Sequence, residues 1–380
     1  MTLMRTYAPP PVTFVRGSGS ELFDTAGRRY LDFVSGLAVT SLGHAHPDVG
    51  AALAAQAGLL WHTSNLYGNE LAPEVAATID RLLGGGGEVF FCNSGAEANE
   101  CALKLARRWA GPGRHVVVAT WGSFHGRTLA TLHATGQPAK HAPFAPLPEG
   151  FVHVDYDDLD AMEAALDPAT VGAVLVEPIQ GEGGVVVPSS DYLAGLRRLC
   201  SERGILLMCD EVQTGFGRTG RWFAFQSQPL QPDVVTMAKA LGNGMPVGAC
   251  WARGEVAAAF SPGDHATTFG GQPLAMSAAR ATLQVMERED VCARARHAGG
   301  RLRAGLESIA GVRAVRGEGL LLAAVLAGGH GPAPAVAAAA LAEGLLVNAV
   351  QPDALRFAPS LLVSDAHVDE AIAILAEVAR

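Results

Sequence analysis

Two charged residues close apolar runs: Lys239 ends "DVVTMAK" (233–239) just before a Gly-Asn-Gly turn, and Asp210 follows "ILLMC" (205–209). In a parallel sheet functional groups gather at the carboxyl ends of the strands, so both side chains are expected to point into one crevice. Either residue alone reads as a solvated loop position. Upstream, "FFCNSGAEANECALKLARRW" (90–109) has the order strand, small-residue turn, helix. That geometry aims free backbone N–H groups and the positive dipole end at an anion, so a phosphate could sit on Ser94, Gly95 and Ala96. The plainer alternative is an ordinary helix cap by Ser94 or Asn93. The turn has neither the G-x-x-x-x-G-K-[ST] spacing nor the G-x-G-x-x-G pattern, which disfavours a nucleotide. A phosphate cradle, a strand-end acid and a strand-end lysine are together the parts that hold pyridoxal 5'-phosphate (PLP). The lysine forms a Schiff base with it, and the acid keeps the pyridine nitrogen protonated so that the ring can accept electrons.

The elements that must position these residues alternate along the chain. Short β-rich runs at 88–93, 114–120, 150–154, 171–179, 205–211, 233–239 and 248–253 are separated by helical patterns or longer connections. This is the signature of an α/β fold, a mainly parallel seven-stranded sheet covered by helices. One helix has clear punctuation: Ser189 and Ser190 offer N-caps, Leu193, Leu196, Leu199 and Cys200 recur at helical spacing, and Gly204 closes it. The hairpin-like "GSELFDTAGRRYLDF" near the start differs in character from the centre. So do the helix at 290–307, the strand-like "GLLLAAVLA" and "LLVNAV", and the last helix, with Val368, Ile372, Leu375 and Val378 on one face. The alanine-rich "PAPAVAAAALA" (332–342) is read as a packed helix. The two ends are expected to form one smaller α+β domain. Its N-terminal part is 1–45; 46–265 is the large domain, and 266–380 holds an interface helix and the rest of the small domain.

With 380 residues, 49% of them apolar, the chain can fill two cores. Its net charge of −9 is mixed in sign along the sequence, with no polybasic run, which makes nucleic acid an unexpected partner. None of the six cysteines forms a C-x-x-C pair, and they read as buried thiols in a reducing cytoplasm. No stretch has the length of a signal peptide core or a membrane span. His44 and His46 in "GHAHP" lack carboxylates at ligand spacing, so no metal is expected and the segment reads as a turn.

The motifs "NSGAEANE", "SFHGRT", "VEPIQGEGG", "LLMCDEVQTGFGRTG", "MAKALGNGMPVGA" and "TTFGG" resemble those of class III (ω-amino) PLP-dependent aminotransferases, of fold type I. The resemblance runs from about residue 14 to the C-terminus and keeps motif order, including the 29 residues from Asp210 to Lys239. It implies that Lys239 holds the cofactor and shuttles the proton, and that Asp210 pairs with the pyridinium nitrogen. Gln213 would bond the phenolic oxygen, and Phe124 would stack on the ring. Gly95 and Ala96 would bind the phosphate, and Ser94, Glu211 and Val212 would also belong to the cofactor site. Thr268 would reach the phosphate of a neighbouring subunit's cofactor, which implies a homodimer with sites at its interface.

For substrate, the resemblance assigns Arg127 to a distal carboxylate as a bidentate partner. It assigns Arg356 to the α-carboxylate of glutamate, Glu182 to masking Arg356 when an ω-amine is bound, and Thr267 to the substrate pocket. Within the family "WHTSNLY" and "SGLAVTSLGHAHP" are most similar to the acetylornithine branch. The apolar Leu37 stands where ornithine-specific members carry a tyrosine, which suits an acylated α-amine because a free ammonium would be left unpaired. The chain departs from the family pattern at Gln272 and Gly68. The implied reaction is ping-pong transfer from N-acetylornithine to 2-oxoglutarate. Succinylornithine, a carrier-linked lysine or ornithine, free ornithine and 4-aminobutyrate are alternatives on the same machinery; PLP decarboxylation or aminomutation is one from another class.

Overall fold

The computed structural model of the chain describes residues 3–328 and 332–379. Ten strands precede residue 260: β1 (Phe14–Ser18), β2 (Glu21–Asp24), β3 (Arg29–Asp32), β4 (Gly87–Cys92), β5 (Val116–Thr120), β6 (Phe151–Val154), β7 (Val171–Val176), β8 (Leu206–Asp210), β9 (Val234–Met237) and β10 (Gly248–Arg253). Five follow: β11 (Val312–Glu318), β12 (Leu321–Leu326), β13 (Leu345–Leu346), β14 (Asn348–Gln351) and β15 (Ala354–Phe357).

The central sheet has the expected seven strands, in the order β4-β10-β9-β8-β7-β5-β6. Only β10 runs against its neighbours. Strands β7, β8 and β9 are buried at every residue. Their continuous apolar runs are what a strand covered by helices on both faces requires. The helix Gly95–Ala110 packs on β9 and β10, burying Ala98, Cys101, Ala102, Leu105 and Ala106 on one face. The helix Tyr192–Arg203 lies against β8 and buries Leu193, Leu196, Leu199 and Cys200. Its N-cap position is held by Asp191 without a side-chain cap bond. Ser189 instead has its N–H and hydroxyl on the carboxylate of Asp157, so the expected serine cap is diverted to a loop contact.

Two smaller sheets flank the central one, β1-β2-β3-β13 and β11-β12-β15-β14. Residues 345–346 pair with β3 in parallel, so the two ends of the chain share a sheet. The alanine-rich segment forms the helix Ala333–Ala342, with Ala333, Val336 and Ala340 buried. All six cysteines are buried free thiols. Among the described residues no helix is long and apolar enough to cross a membrane.

The sheet order brings the loops after β5, β7, β8 and β9 to one edge. Lys239 leaves β9 with φ +42, a backbone conformation that costs a non-glycine residue energy and clusters at functional sites.

Candidate active site

At that edge lies a cavity of about 240 Å³. The start of the helix Gly95–Ala110 gives it Gly95, Ala96 and Asn99. The loop after β5 adds Phe124, His125 and Arg127, and the loop after β7 adds Glu177 and Glu182. Strand β8 ends on Asp210 with Val212 and Gln213 just beyond, and Lys239 comes from the end of β9.

Asp210 is buried and held on both oxygens. Asn99 Nδ2 donates to Oδ2 at 2.8 Å, His125 Nδ1 lies 2.8 Å from the same atom, and the Val212 N–H donates to Oδ1 at 3.0 Å. With the carboxylate as acceptor, the Nδ1–H tautomer of His125 is the one that bonds it. The Asn99 amide is oriented in turn by Thr236, whose hydroxyl donates to its Oδ1 at 2.7 Å. Oδ1 of Asp210 keeps acceptor capacity on the residue that lines the cavity.

The turn before the helix serves both of the uses weighed for it. Ser94 is the N-cap: its hydroxyl accepts the Glu97 N–H and donates to the Glu97 carboxylate, a reciprocal arrangement that consumes the side chain. Gly95 and Ala96 line the cavity with N–H groups that precede the first intrahelical bond. A Cβ on Gly95 would sit 2.8 Å from Val212 Cγ1, so only glycine lets the helix start come this close to the end of β8.

Arg356, on β15, is 2% exposed and reaches the cavity from the C-terminal sheet. Its Nη1 donates to Glu182 Oε1 at 2.5 Å and to Gln213 Oε1 at 3.0 Å, and its Nη2 donates to Asn348 Oδ1 at 2.8 Å. Desolvation by itself would raise the Glu182 carboxyl, but Arg356, helped by Lys239 and Gln213, holds it below its ordinary range. Burial holds the Lys239 amine below the ordinary lysine range; Arg356 pushes the same way, and Glu182, Asp210 and Glu177 oppose it. Glu177 is pushed up to about 7 by burial, with its carboxylate accepting the N–H groups of Phe124 and Gly181. Arg127 is exposed at the mouth, its guanidinium carbon 5.6 Å from the centre of the Phe124 ring; Lys140 Nζ lies 5.4 Å from that centre.

Two sequence-based expectations, Glu211 and Thr267, end elsewhere. Glu211 points away from the cavity: it follows Asp210 directly, so its side chain leaves on the opposite side, where it accepts the Thr214 hydroxyl and the Phe225 N–H at 2.9 Å. Thr267 uses its hydroxyl to accept the Gly270 N–H at 3.1 Å, and Thr268 is exposed; neither lines the cavity of its own chain. Gln272, a departure from the family pattern, is buried and accepts the Thr63 N–H at 2.8 Å, tying the segments 61–67 and 267–272 together. His44 pairs with Asp32 at 2.7 Å, and no group of three or more metal-ligating side chains is placed to hold an ion among the described residues. Sequence reading missed Asn99, His125, Glu177 and Lys140. Asn99, His125 and Glu177 lie inside the quoted motifs "NSGAEANE", "SFHGRT" and "VEPIQGEGG".

The set fits PLP on its own geometry. A glycine-lined helix start offers N–H groups for a phosphate, a buried carboxylate with spare acceptor capacity would hold a ring nitrogen, and a lysine with its amine pushed toward neutrality stands at the next strand end.

Known proteins match this arrangement over the whole chain. The family model for class-III aminotransferases matches residues 2–379. Acetylornithine aminotransferase of Gloeobacter violaceus is 50% identical over 384 residues, covering 98% of this chain and 94% of that protein. The acetylornithine aminotransferase of Mycobacterium tuberculosis is 48% identical over 377 residues, 98% of this chain and 93% of its own. Among solved structures, the ornithine aminotransferase of Toxoplasma gondii superposes with a TM-score of 0.95 at 34% identity, over 100% of this chain and 92% of that one. The N-acetylornithine aminotransferase of Stenotrophomonas maltophilia gives a TM-score of 0.86 at 38% identity, over 97% and 96%.

Proposed function

The chain belongs to the class-III aminotransferases, which depend on PLP, and from that premise we propose that it moves the δ-amino group of N2-acetyl-L-ornithine to 2-oxoglutarate, giving N-acetylglutamate 5-semialdehyde and L-glutamate. The observation that carries this reading is Arg356, a buried guanidinium clasped by Glu182 beside Lys239, with Arg127 on the same cavity. Such a pair lets one pocket take two substrates that differ in whether a carboxylate sits on the reacting carbon.

When bound, PLP supplies the carbonyl that takes up the amino group and the ring that draws off electrons. Gly95 and Ala96 would hold its phosphate, Asp210 its ring nitrogen, Gln213 its phenolic oxygen and Lys239 its carbonyl carbon; Phe124 would cover one ring face. Asn99 and His125 keep Asp210 oriented toward the cavity, where its carboxylate would accept the proton of the ring nitrogen. Lys239 is the proton carrier: an amine held below the ordinary lysine range is neutral, and so basic, at a lower pH. Arg127 would fork onto the carboxylate remote from the reacting carbon. With the ω-amine present, Glu182 keeps Arg356 occupied; a 2-oxoglutarate or glutamate α-carboxylate would displace Glu182 and take its place. The exchange trades one carboxylate partner for another, so no buried guanidinium is left unpaired, a state that costs about 3–5 kcal/mol.

Leu37, with no polar atom on its side chain, supports an acylated α-amine over a free one. The Asn65 amide donates to the carbonyls of Thr267 and Gly270, which ties the segment with the exposed Trp61, Leu66 and Tyr67 to the one with the exposed Phe269 and Thr268. Those exposed apolar side chains support a homodimer in which Thr268 serves the partner's phosphate. Six buried free thiols support a reducing cytoplasm as its location.

The test is a titration of holoenzyme with N-acetylornithine, succinylornithine and free ornithine, each without the oxoacid, following the cofactor's absorbance. The fastest change with the acetyl compound is expected. A response to free ornithine alone would move the substrate, and no response to any amine donor would overturn the aminotransferase reading.

A further inference from the structure

Away from the active site, a groove of about 650 Å³ runs between the loop after β8, the helix Val291–Glu307 and the turn from β11 to β12. It shares no lining residue with the catalytic cavity. Three arginines, Arg221, Arg296 and Arg303, line it against a single carboxylate, Glu318. Glu307 approaches Arg303 at 3.6 Å along the helix. In a chain of net charge −9, a wall with this excess of cations is against the average.

Two of the three guanidiniums, Arg296 and Arg303, are held in place by main-chain carbonyls, and Arg221 is exposed at the rim. Arg296 Nη1 donates to Gly220 O; Arg303 donates from Nη1 to Val315 O at 2.8 Å and from Nη2 to Gly317 O at 2.7 Å. Each guanidinium has five N–H donors, so most of those on Arg296 and three on Arg303 remain for something else. Arg296 and Arg303 are seven residues apart, two turns on one helix face. Gly299 and Gly300 lie between them: a Cβ on Gly299 would meet Gly319 O at 2.0 Å, whereas one on Gly300 would meet nothing within 4 Å. The floor is therefore closely packed at one glycine and open at the next. A second, independent observation points the same way: Thr219, 5% exposed and on the groove wall, has its hydroxyl buried with no hydrogen-bond partner.

We propose that this groove binds a small dianion bearing phosphate or carboxylate groups, held by the guanidinium forks of Arg221, Arg296 and Arg303 and by the Thr219 hydroxyl. Fixed guanidinium forks match the planar oxygen pairs of such groups, and an orphaned hydroxyl gains its missing bond from the same ligand. Glu318 faces Arg221 and Arg303 and leaves the remaining positive charge to the ligand.

The experiment is calorimetric titration of PLP-loaded enzyme with inorganic phosphate, pyrophosphate and succinate at constant ionic strength, so that general screening is the same throughout. The wild type is expected to bind at least one probe saturably, and the preferred probe tells a phosphate ligand from a dicarboxylate. Gly300→Asp starts from a Cβ that meets nothing within 4 Å and adds a carboxylate between Arg296 and Arg303, which should weaken binding by about tenfold or more. Thr219→Val should weaken it by a few-fold and leave the charges in place. Turnover should be unchanged in both variants, since neither residue lies in the catalytic cavity. Should Gly300→Asp fail to fold, Arg221→Gln, an exposed side chain, carries the same decision. Equal binding in the wild type and these variants overturns the proposal, as does the absence of saturable binding of all three probes.

Discussion

Arg356 and Glu182 meet at 2.5 Å although 174 residues separate them, one from the last sheet and one from the loop after β7. The arginine is 2% exposed and the glutamate 27%, so the pair opens on the glutamate side, toward the cavity. Removing the carboxylate should free the guanidinium. Glu182→Gln is expected to lower the KM for 2-oxoglutarate and glutamate by up to about tenfold, or about 1.4 kcal/mol. It should slow the half-reaction with the ω-amine, because the bare Arg356 then attracts the wrong carboxylate. Single-turnover kinetics with each substrate separates the two effects. Equal changes for both would mean that Glu182 is not a selective mask.

The same pair tunes the acidity of Lys239 beneath the larger effect of burial. Burial is the largest influence lowering it, Arg356 adds to the lowering and Glu182 opposes it. Taking away the positive charge in Arg356→Met should raise the lysine's pKa. Taking away the negative charge in Glu182→Gln should lower it. The rate at which apoenzyme attaches PLP depends on neutral amine, so its pH limb should move to alkaline pH in the first variant and to acid pH in the second. Stopped-flow absorbance across pH reads both shifts.

Glu211 offers a stability test uncoupled from catalysis, since it does not line the cavity. Burial pushes its carboxyl from 4.5 up to about 7 in the folded chain. Between those values the folded state binds more protons than the unfolded one, so stability falls as pH rises through this window. The displacement corresponds to about 3 kcal/mol at most. Glu211→Gln cannot ionise, so its melting temperature should vary less between pH 5 and 7 than that of the wild type. Parallel melting curves over that range for the two proteins would show that Glu211 does not titrate as described.

Asn99 joins Asp210 to Thr236. Asn99→Leu removes a donor from the carboxylate and leaves the Thr236 hydroxyl buried without its acceptor. A cost of about 1–3 kcal/mol in stability is expected, with a fall in kcat larger than any change in KM. Denaturant melts and steady-state kinetics with N-acetylornithine check both. A stability loss with unchanged kcat would assign Asn99 a packing role alone.

Much of the site was legible in the chain because it rests on local rules. A strand ending in a charged residue, a small-residue turn opening a helix and continuous apolar runs between them place Lys239, Asp210, Gly95 and Ala96 before any fold is seen. The strand runs likewise matched the seven members of the central sheet, most plainly β7, β8 and β9, since a strand buried on both faces must be apolar throughout. Side-chain destinations were less legible. Taken alone, Ser94 reads as a cap before a phosphate ligand, and the position of Glu97 against its hydroxyl decides for the cap.

What the sequence by itself determined is therefore the set of strand ends and the chemistry they carry. Only the tertiary structure decided which partners tune that chemistry. The order of strands in the sheet puts Asn99 and His125 on one oxygen of Asp210, and the packing of the C-terminal sheet brings Arg356 to Glu182. Periodicity and turn signals act over a few residues, whereas these contacts span tens to hundreds, and no local preference encodes them.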